Sequence, residues 1–256
     1  MDIFEILLPS LPEGKVLEVE IGLFWTAVLV EVDGRLSCGL ASTLGKEENE
    51  HNGPAIREPG KLERYSTREL AGLVRSESFT EVSVGLAAIN ALLPRPKDPV
   101  DLPADEYIAR QGSQSRVAVI GHFPFVDRLR PRVKDLWVIE LKPKPGDLPA
   151  EAGPEFIPQA DILAITSTTL INHTFDEVMR HRKPGARVML LGPSTPLSPH
   201  LFNFGVHVLS GSIVERPEAI LPLLRQGANF RQIKPQGIRL VTIEAGESDF
   251  TTTTGV

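Results

Sequence analysis

The stretch Arg116–Phe125, RVAVIGHFPF, opens as an unbroken apolar run, closes on a glycine and continues with histidine, aromatics and proline. A run that is apolar throughout, with no alternation, belongs to a strand covered on both faces, the signature of a parallel sheet between helices. Comparable runs recur at DLWVIEL (135–141), ADILAIT (160–166), ARVMLLG (186–192), VHVLSG (206–211) and IRLVTIE (238–244), separated by helical or loop segments. The repetition predicts an α/β domain built on a doubly wound parallel sheet.

Working outward toward the N-terminus, residues 94–103, PRPKDPVDLP, sustain neither a helix nor a central strand. They place a domain boundary there, giving domains 1–95 and 96–256. The first segment reads differently from the second. A helix around Asp2–Leu8 precedes three β segments, Val16–Ile21, Phe24–Val32 and Arg35–Ala41, with Asp33-Gly34 as a hairpin turn. Two helices follow, each announced by a capping box, Ser66 with Glu69 and Ser78 with Glu81. This is a small α+β domain of order β-β-β-α-α.

Composition narrows the function classes. The 256 residues suit two domains at roughly 150 residues each. With 41% hydrophobic and 23% charged residues the chain reads as globular, and no apolar run approaches the roughly 18 residues of a membrane span. The acidic start MDIFE is no secretory signal, so the cytoplasm is the expected location. The single cysteine, Cys38, excludes an intramolecular disulfide and a thiolate-only metal site. A net charge of -6, with no Lys/Arg cluster interleaved with aromatics, argues against nucleic acid as a partner. A homo-oligomer is left open.

In a doubly wound sheet, ligands sit beyond the carboxyl ends of the strands, where the strand order reverses. That rule selects GHFPF after the first strand, Glu140 at the end of the second, TSTTLINHT after the third and GPSTPLSPHLF after the fourth. These loops bring hydroxyls and imidazoles to one rim: His122, Thr168, Thr169, Asn172, Ser194 and Thr195 are the candidate ligand-binding residues, with Glu140 beside them. In the last loop Gly192 releases the chain from the sheet, and Ser198-Pro199 starts a short helix over Pro199–Phe204. In the first domain Ser42 and Thr43 follow a strand and are expected to close over that rim from across an interdomain cleft.

His122 is the strongest of the six histidines, since a neutral imidazole is both a metal donor and a proton shuttle. A structural histidine is the plain alternative. Glu140, 19 positions after Gly121, is placed to accept from a ribose-like hydroxyl, the plain alternative being a solvated strand-end acid. The glycine pattern of a dinucleotide site is absent. Thr174 with Glu177 reads as a further capping box. There is no GxSxG elbow, no P-loop and no close metal-ligand spacing, so a metal site would have to be assembled from separate loops.

The combination of CGLAST, VIGHFPF, ADILAITSTTLINHTFDEVM and VMLLGPSTPLSPHLFNFGVHVLSGS resembles a family of bacterial and archaeal proteins labelled heavy-metal chelatases, a domain of unknown function. The resemblance implies a first domain like the N-terminal domain of enolase, a Rossmann-like second domain and a site at their junction. It maps the family's blocks onto His122, Thr168, Thr169, Asn172 and the segment Gly192–Pro196, with Ser167 where the family has glycine. The resulting expectation is a protein that binds a divalent transition metal or a metal-bearing small molecule, with His122 as nitrogen donor. A carboxylate such as Glu140, Glu47 or Glu48 would help it. The alternative is an enzyme or binding module that takes a nucleotide-like organic ligand on the Rossmann-like domain without metal.

Overall fold

The structure, a computed structural model, describes residues 3–45, 55–111 and 113–246; Glu47 and Glu48 lie outside the described residues. These divide into two compact units, one within chain segments 1–98, 193–200 and 211–240, the other within 99–192, 201–210 and 241–256.

The first unit is built on an antiparallel sheet of β1 (Lys15–Ile21), β2 (Trp25–Val32) and β3 (Arg35–Ser42) in the order β1-β2-β3. The β2–β3 hairpin turns at Asp33 and Gly34, both with positive φ (49° and 73°), which matches the right-handed twist of the strands. Val28 pairs with Gly39 on one face of the hairpin and Ala27 with Leu40 on the other. Both faces are covered. The helix Phe79–Leu92 lies so close to β3 that a Cβ on Gly39 would stand 2.0 Å from the Ala87 carbonyl oxygen and 2.3 Å from the Ala91 nitrogen. On the opposite face Ala27, Cys38 and Leu40 join Ile220, Leu221 and Leu224 of the helix Pro217–Arg225 and Ile233 of the helix Phe230–Gly237 in one core. Periodicity within residues 1–95 carries no trace of that second cover, because it comes from more than a hundred residues downstream.

The Ser66 capping box forms in full. The Ser78 box forms by half: Ser78 Oγ accepts from Glu81 N, but the Glu81 carboxylate turns to Arg57 and Ser76 Oγ instead of the N-cap amide. A guanidinium offers two parallel charge-assisted bonds where a backbone amide offers one.

The second sheet has seven strands, β4 (Arg116–Ile120), β5 (Asp135–Glu140), β6 (Leu148–Pro149), β7 (Ile162–Thr166), β8 (Arg187–Leu191), β9 (Val208–Val214) and β10 (Ile238–Glu244), in the order β10-β9-β8-β7-β4-β5-β6. The pairs β5–β6, β4–β5, β4–β7, β7–β8 and β8–β9 are parallel. The apolar runs read from the sequence are these strands, and β4, β7 and β8 are buried along all but one terminal residue. The two-residue edge strand β6 carries no run long enough to read. From β4 the chain builds outward to β5 and β6, then returns to the other side of β4 as β7, so the order reverses between β4 and β7.

The mixed α/β architecture, a small antiparallel sheet with a large mostly parallel one, is as the sequence predicts. No helix among the described residues is long and apolar enough to cross a membrane. The close approach at Gly39 gives a direct test: Gly39→Ala should lower stability by about 3 kcal/mol through overpacking against backbone that cannot yield. Gly72→Ala, at a helical position with nothing within 4 Å of the added carbon, should be neutral or stabilising. Urea unfolding midpoints of the two variants check both.

Candidate functional site

A cavity of about 520 Å³ opens at the carboxyl ends of β4, β5 and β7, where the strand order reverses. All its described lining residues belong to the second unit. Gly121 follows β4 at φ 97°, and a Cβ there would stand 2.9 Å from the Thr166 methyl, so the turn into the cavity requires glycine twice over.

His122 follows directly. Its backbone N–H donates to Glu140 Oε2 (2.9 Å), and Leu141 N–H donates to Glu140 Oε1 (2.7 Å). The carboxylate at the end of β5 is thereby clamped to the loop that leaves β4, with lone pairs left over for a ligand. The His122 ring is clamped as well: Nδ1 lies 2.8 Å from Asp147 Oδ2 and 3.1 Å from Oδ1, and the Asp147 side chain is only 2% exposed. Burial by itself would push the Asp147 carboxyl up. The hydrogen bonds from Lys144 N–H (3.0 Å) and from the His122 ring outweigh it and hold the group below its ordinary value. An ionised carboxylate only accepts, so Nδ1 carries a hydrogen and Nε2 is the ring nitrogen left for a ligand.

The loop after β7 supplies the hydroxyls. Thr166 Oγ1 and Thr168 Oγ1 are 3.0 Å apart, while Thr169 Oγ1 donates to the Thr166 carbonyl at 2.7 Å. Asn172 Oδ1 accepts from Thr174 Oγ1 at 2.7 Å, and with that bond made Thr174 gives no side-chain cap to the helix Phe175–Arg180, so the capping box read from Thr174 and Glu177 does not form. His122, Glu140, Thr168, Thr169 and Asn172 all line the cavity.

The other predicted residues do not line it. Ser194 is fully buried in the first unit, where its Oγ accepts from Ser42 N–H at 2.8 Å and lies 3.2 Å from Ser42 Oγ. Thr43 Oγ1 sits 2.9 Å from Thr26 Oγ1. Thr195 Oγ1 is buried without a hydrogen-bond partner and, with Asn90, lines a separate cavity of about 40 Å³ within the first unit. The segment from Pro199 to Phe204 is a short 3-10 helix, as its sequence predicts. Ser167 does not line the large cavity; it is 1% exposed, with its Oγ 2.7 Å from where a Cβ on Gly192 would stand, at φ 123°.

Sequence reasoning missed Asp147, Leu141, Glu151, Glu177 and His181. Asp147 stands 25 positions after its partner His122 in an exposed-looking KPKPGDLP loop, with no spacing to announce it. Glu177 and His181 did carry a signal, since i,i+4 residues share a helix face, and His181 Nε2 lies 3.0 Å from Glu177 Oε1. Glu177 also pairs with Arg180.

A protein-only metal site does not fit these residues. Among the described residues no three His, Cys, Asp or Glu side chains converge on one point. Cys38 is buried in the first unit and its thiol is pushed up to about 12 by that burial, which removes it as a thiolate donor.

Comparison with known proteins brings a family to this geometry. A family model described as "Putative heavy-metal chelation", DUF364, matches residues 105–242, and a second with the same description, DUF4213, matches residues 4–93. An uncharacterized protein of Methanocaldococcus jannaschii is 29% identical over 223 residues, covering 82% of this chain and 83% of the relative. The crystal structure of a DUF364 protein of unknown function from Desulfitobacterium hafniense superposes with a TM-score of 0.79 at 27% identity, over 95% of this chain and 99% of that one. One from Pyrococcus horikoshii, at 24% identity and a TM-score of 0.81 over 95% and 98%, shares the fold. With the first model covering more than half its length, the chain belongs to the DUF364 family, described as putative heavy-metal chelation.

Proposed function

We propose that this protein binds a small organic molecule in the cavity at the ends of β4, β5 and β7, and that a heavy metal, where one is handled, enters as cargo of that molecule. The carrying observation is the His122 ring, fixed by Asp147 at Nδ1 and lining a cavity where, among the described residues, no three His, Cys, Asp or Glu side chains converge. Capture of a free ion takes three or four protein ligands. A metal already held by a chelator needs only one more donor, and a single oriented imidazole supplies it. The Rossmann-like reading of the sheet supports the place, since the cavity lies at the reversal of strand order.

The same pair favours a second reading, an enzyme on an organic ligand without metal. A carboxylate that orients a histidine and settles its tautomer is also what proton transfer requires. Recovery of the ligand chemically unchanged after incubation separates a carrier from an enzyme.

Elemental and small-molecule mass spectrometry of untagged protein tests the first reading. Metal should track the recovered organic molecule and fall with it in His122→Ala. Stripped protein equilibrated with zinc, nickel or copper ions alone should take up less than one equivalent, with no dependence on His122. Stoichiometric uptake of free ions that His122→Ala abolishes would overturn it. The His122–Asp147 pair has a separate signature. Because the Asp147 carboxyl is held below its ordinary value, its contribution is complete above about pH 4 and is lost as pH falls through the folded-state value. Asp147→Asn should therefore cost about 2 kcal/mol at neutral pH, and the difference from the natural protein should shrink toward zero in acid unfolding titrations.

A further inference from the structure

We propose that the ligand of this cavity is a ribonucleoside without phosphate groups, its ribose diol received by Glu140 and its base laid against Leu141. The inference rests on the reading of the cavity as the ligand site and adds the ligand's class.

Three features of the lining carry it. The first is the Glu140 carboxylate, whose two oxygens accept from the amides of His122 and Leu141 at 2.9 and 2.7 Å. Each bond consumes one lone pair, so an immobilised pair of acceptors remains at the end of the strand next to the reversal point. Two vicinal hydroxyls match two carboxylate oxygens, and the acceptor has no reorganisation left to make. The second is Leu141. It is 65% exposed immediately after a buried strand and nevertheless lines the cavity, so core packing does not account for its side chain. With Ile157 and Phe123 it offers apolar surface beside the diol site, and Phe123 is held by stacking on Phe125 at 5.1 Å between centroids and 11° between planes. A planar heterocycle joined to the ribose finds its apolar contact there.

The third feature is charge. Glu140, Glu151 and Glu177 line the cavity, and no lysine or arginine is among its described lining residues. A phosphate would meet carboxylates on the described lining, of which Glu177 is paired with Arg180 from outside it. The loop after β4 also places His122 and Phe123 side chains where a diphosphate needs bare glycine backbone. The lining therefore selects against nucleotides and dinucleotides and favours neutral or cationic nucleosides.

The test is calorimetric titration of the full-length chain with adenosine, guanosine, cytidine and uridine. For each that binds, its 2′-deoxy analogue and its 5′-monophosphate follow, with Glu140→Gln alongside. At least one ribonucleoside should bind, and the deoxy analogue and the monophosphate should each bind about tenfold more weakly or worse. Glu140→Gln should remove the discrimination between ribose and deoxyribose. The deoxy comparison needs no variant, so a Glu140→Gln protein that fails to fold leaves the question answerable. Equal affinity for the deoxy analogue, tighter binding of the monophosphate or binding of none of the four overturns the nucleoside assignment. If none binds but the purified protein retains another small molecule in a manner dependent on His122, the cavity stands as a ligand site and only the assignment of its ligand falls. If His122→Ala and Glu140→Gln change the retention of nothing, both readings fall.

Discussion

Everything at the candidate site depends on β4 lying beside β7. The two strands pair in parallel, Val117 with Ile162 through Ile120 with Ile165, although β5 and β6 intervene in the chain. Their apolar residues leave no face for water, so each must be covered on both sides and flanked within the sheet. Because the chain leaves β4 toward β5 and leaves β7 toward β8, the connections diverge at the carboxyl ends. The divergence is what makes a crevice there, and neither strand creates it alone.

Around that crevice the backbone is tied down before any ligand is considered. Gly121 is pressed against Thr166, Glu140 is bonded to two amides, the His122 ring is held by an almost fully buried Asp147, and Thr169 is bonded back to its own strand end. These bonds connect β4, β5, the loop after β5 and β7. They leave few degrees of freedom for a ligand to freeze, which is the condition for selective binding by a small number of polar groups.

The family description names heavy metals, and the donor set at the crevice limits how that description applies to this chain. Its His122–Asp147 and His181–Glu177 pairs and its clamped Glu140 do not bring three His, Cys, Asp or Glu side chains to one point among the described residues. Cys38, the residue with the greatest intrinsic affinity for soft metals, is spent on packing beneath the helix Pro217–Arg225. Ser194 and Ser42 are likewise spent on each other. The proline-rich loop that carries Ser194 and Thr195 buries both hydroxyls in the first unit, Ser194 bonded to Ser42 and Thr195 Oγ1 without a partner.

By itself the sequence determined the elements and which residues stand at the carboxyl ends of β4, β5 and β7. Buried parallel strands declare themselves by unbroken apolar runs, the β2–β3 hairpin by Asp33-Gly34 and the helix after Ser66 by its capping box, because each depends on interactions within a few residues. His122, Glu140, Thr168, Thr169 and Asn172 were legible for the same kind of reason, since position at a strand's carboxyl end is a local property. Tertiary structure alone decided the rest. Asp147 as partner of His122, the second cover of the small sheet, the diversion of Glu81 to Arg57 and the burial of Ser194 all join residues far apart in the chain. Such pairings depend on which surfaces pack together, and packing responds to the shape of the whole core, which no spacing along the chain encodes.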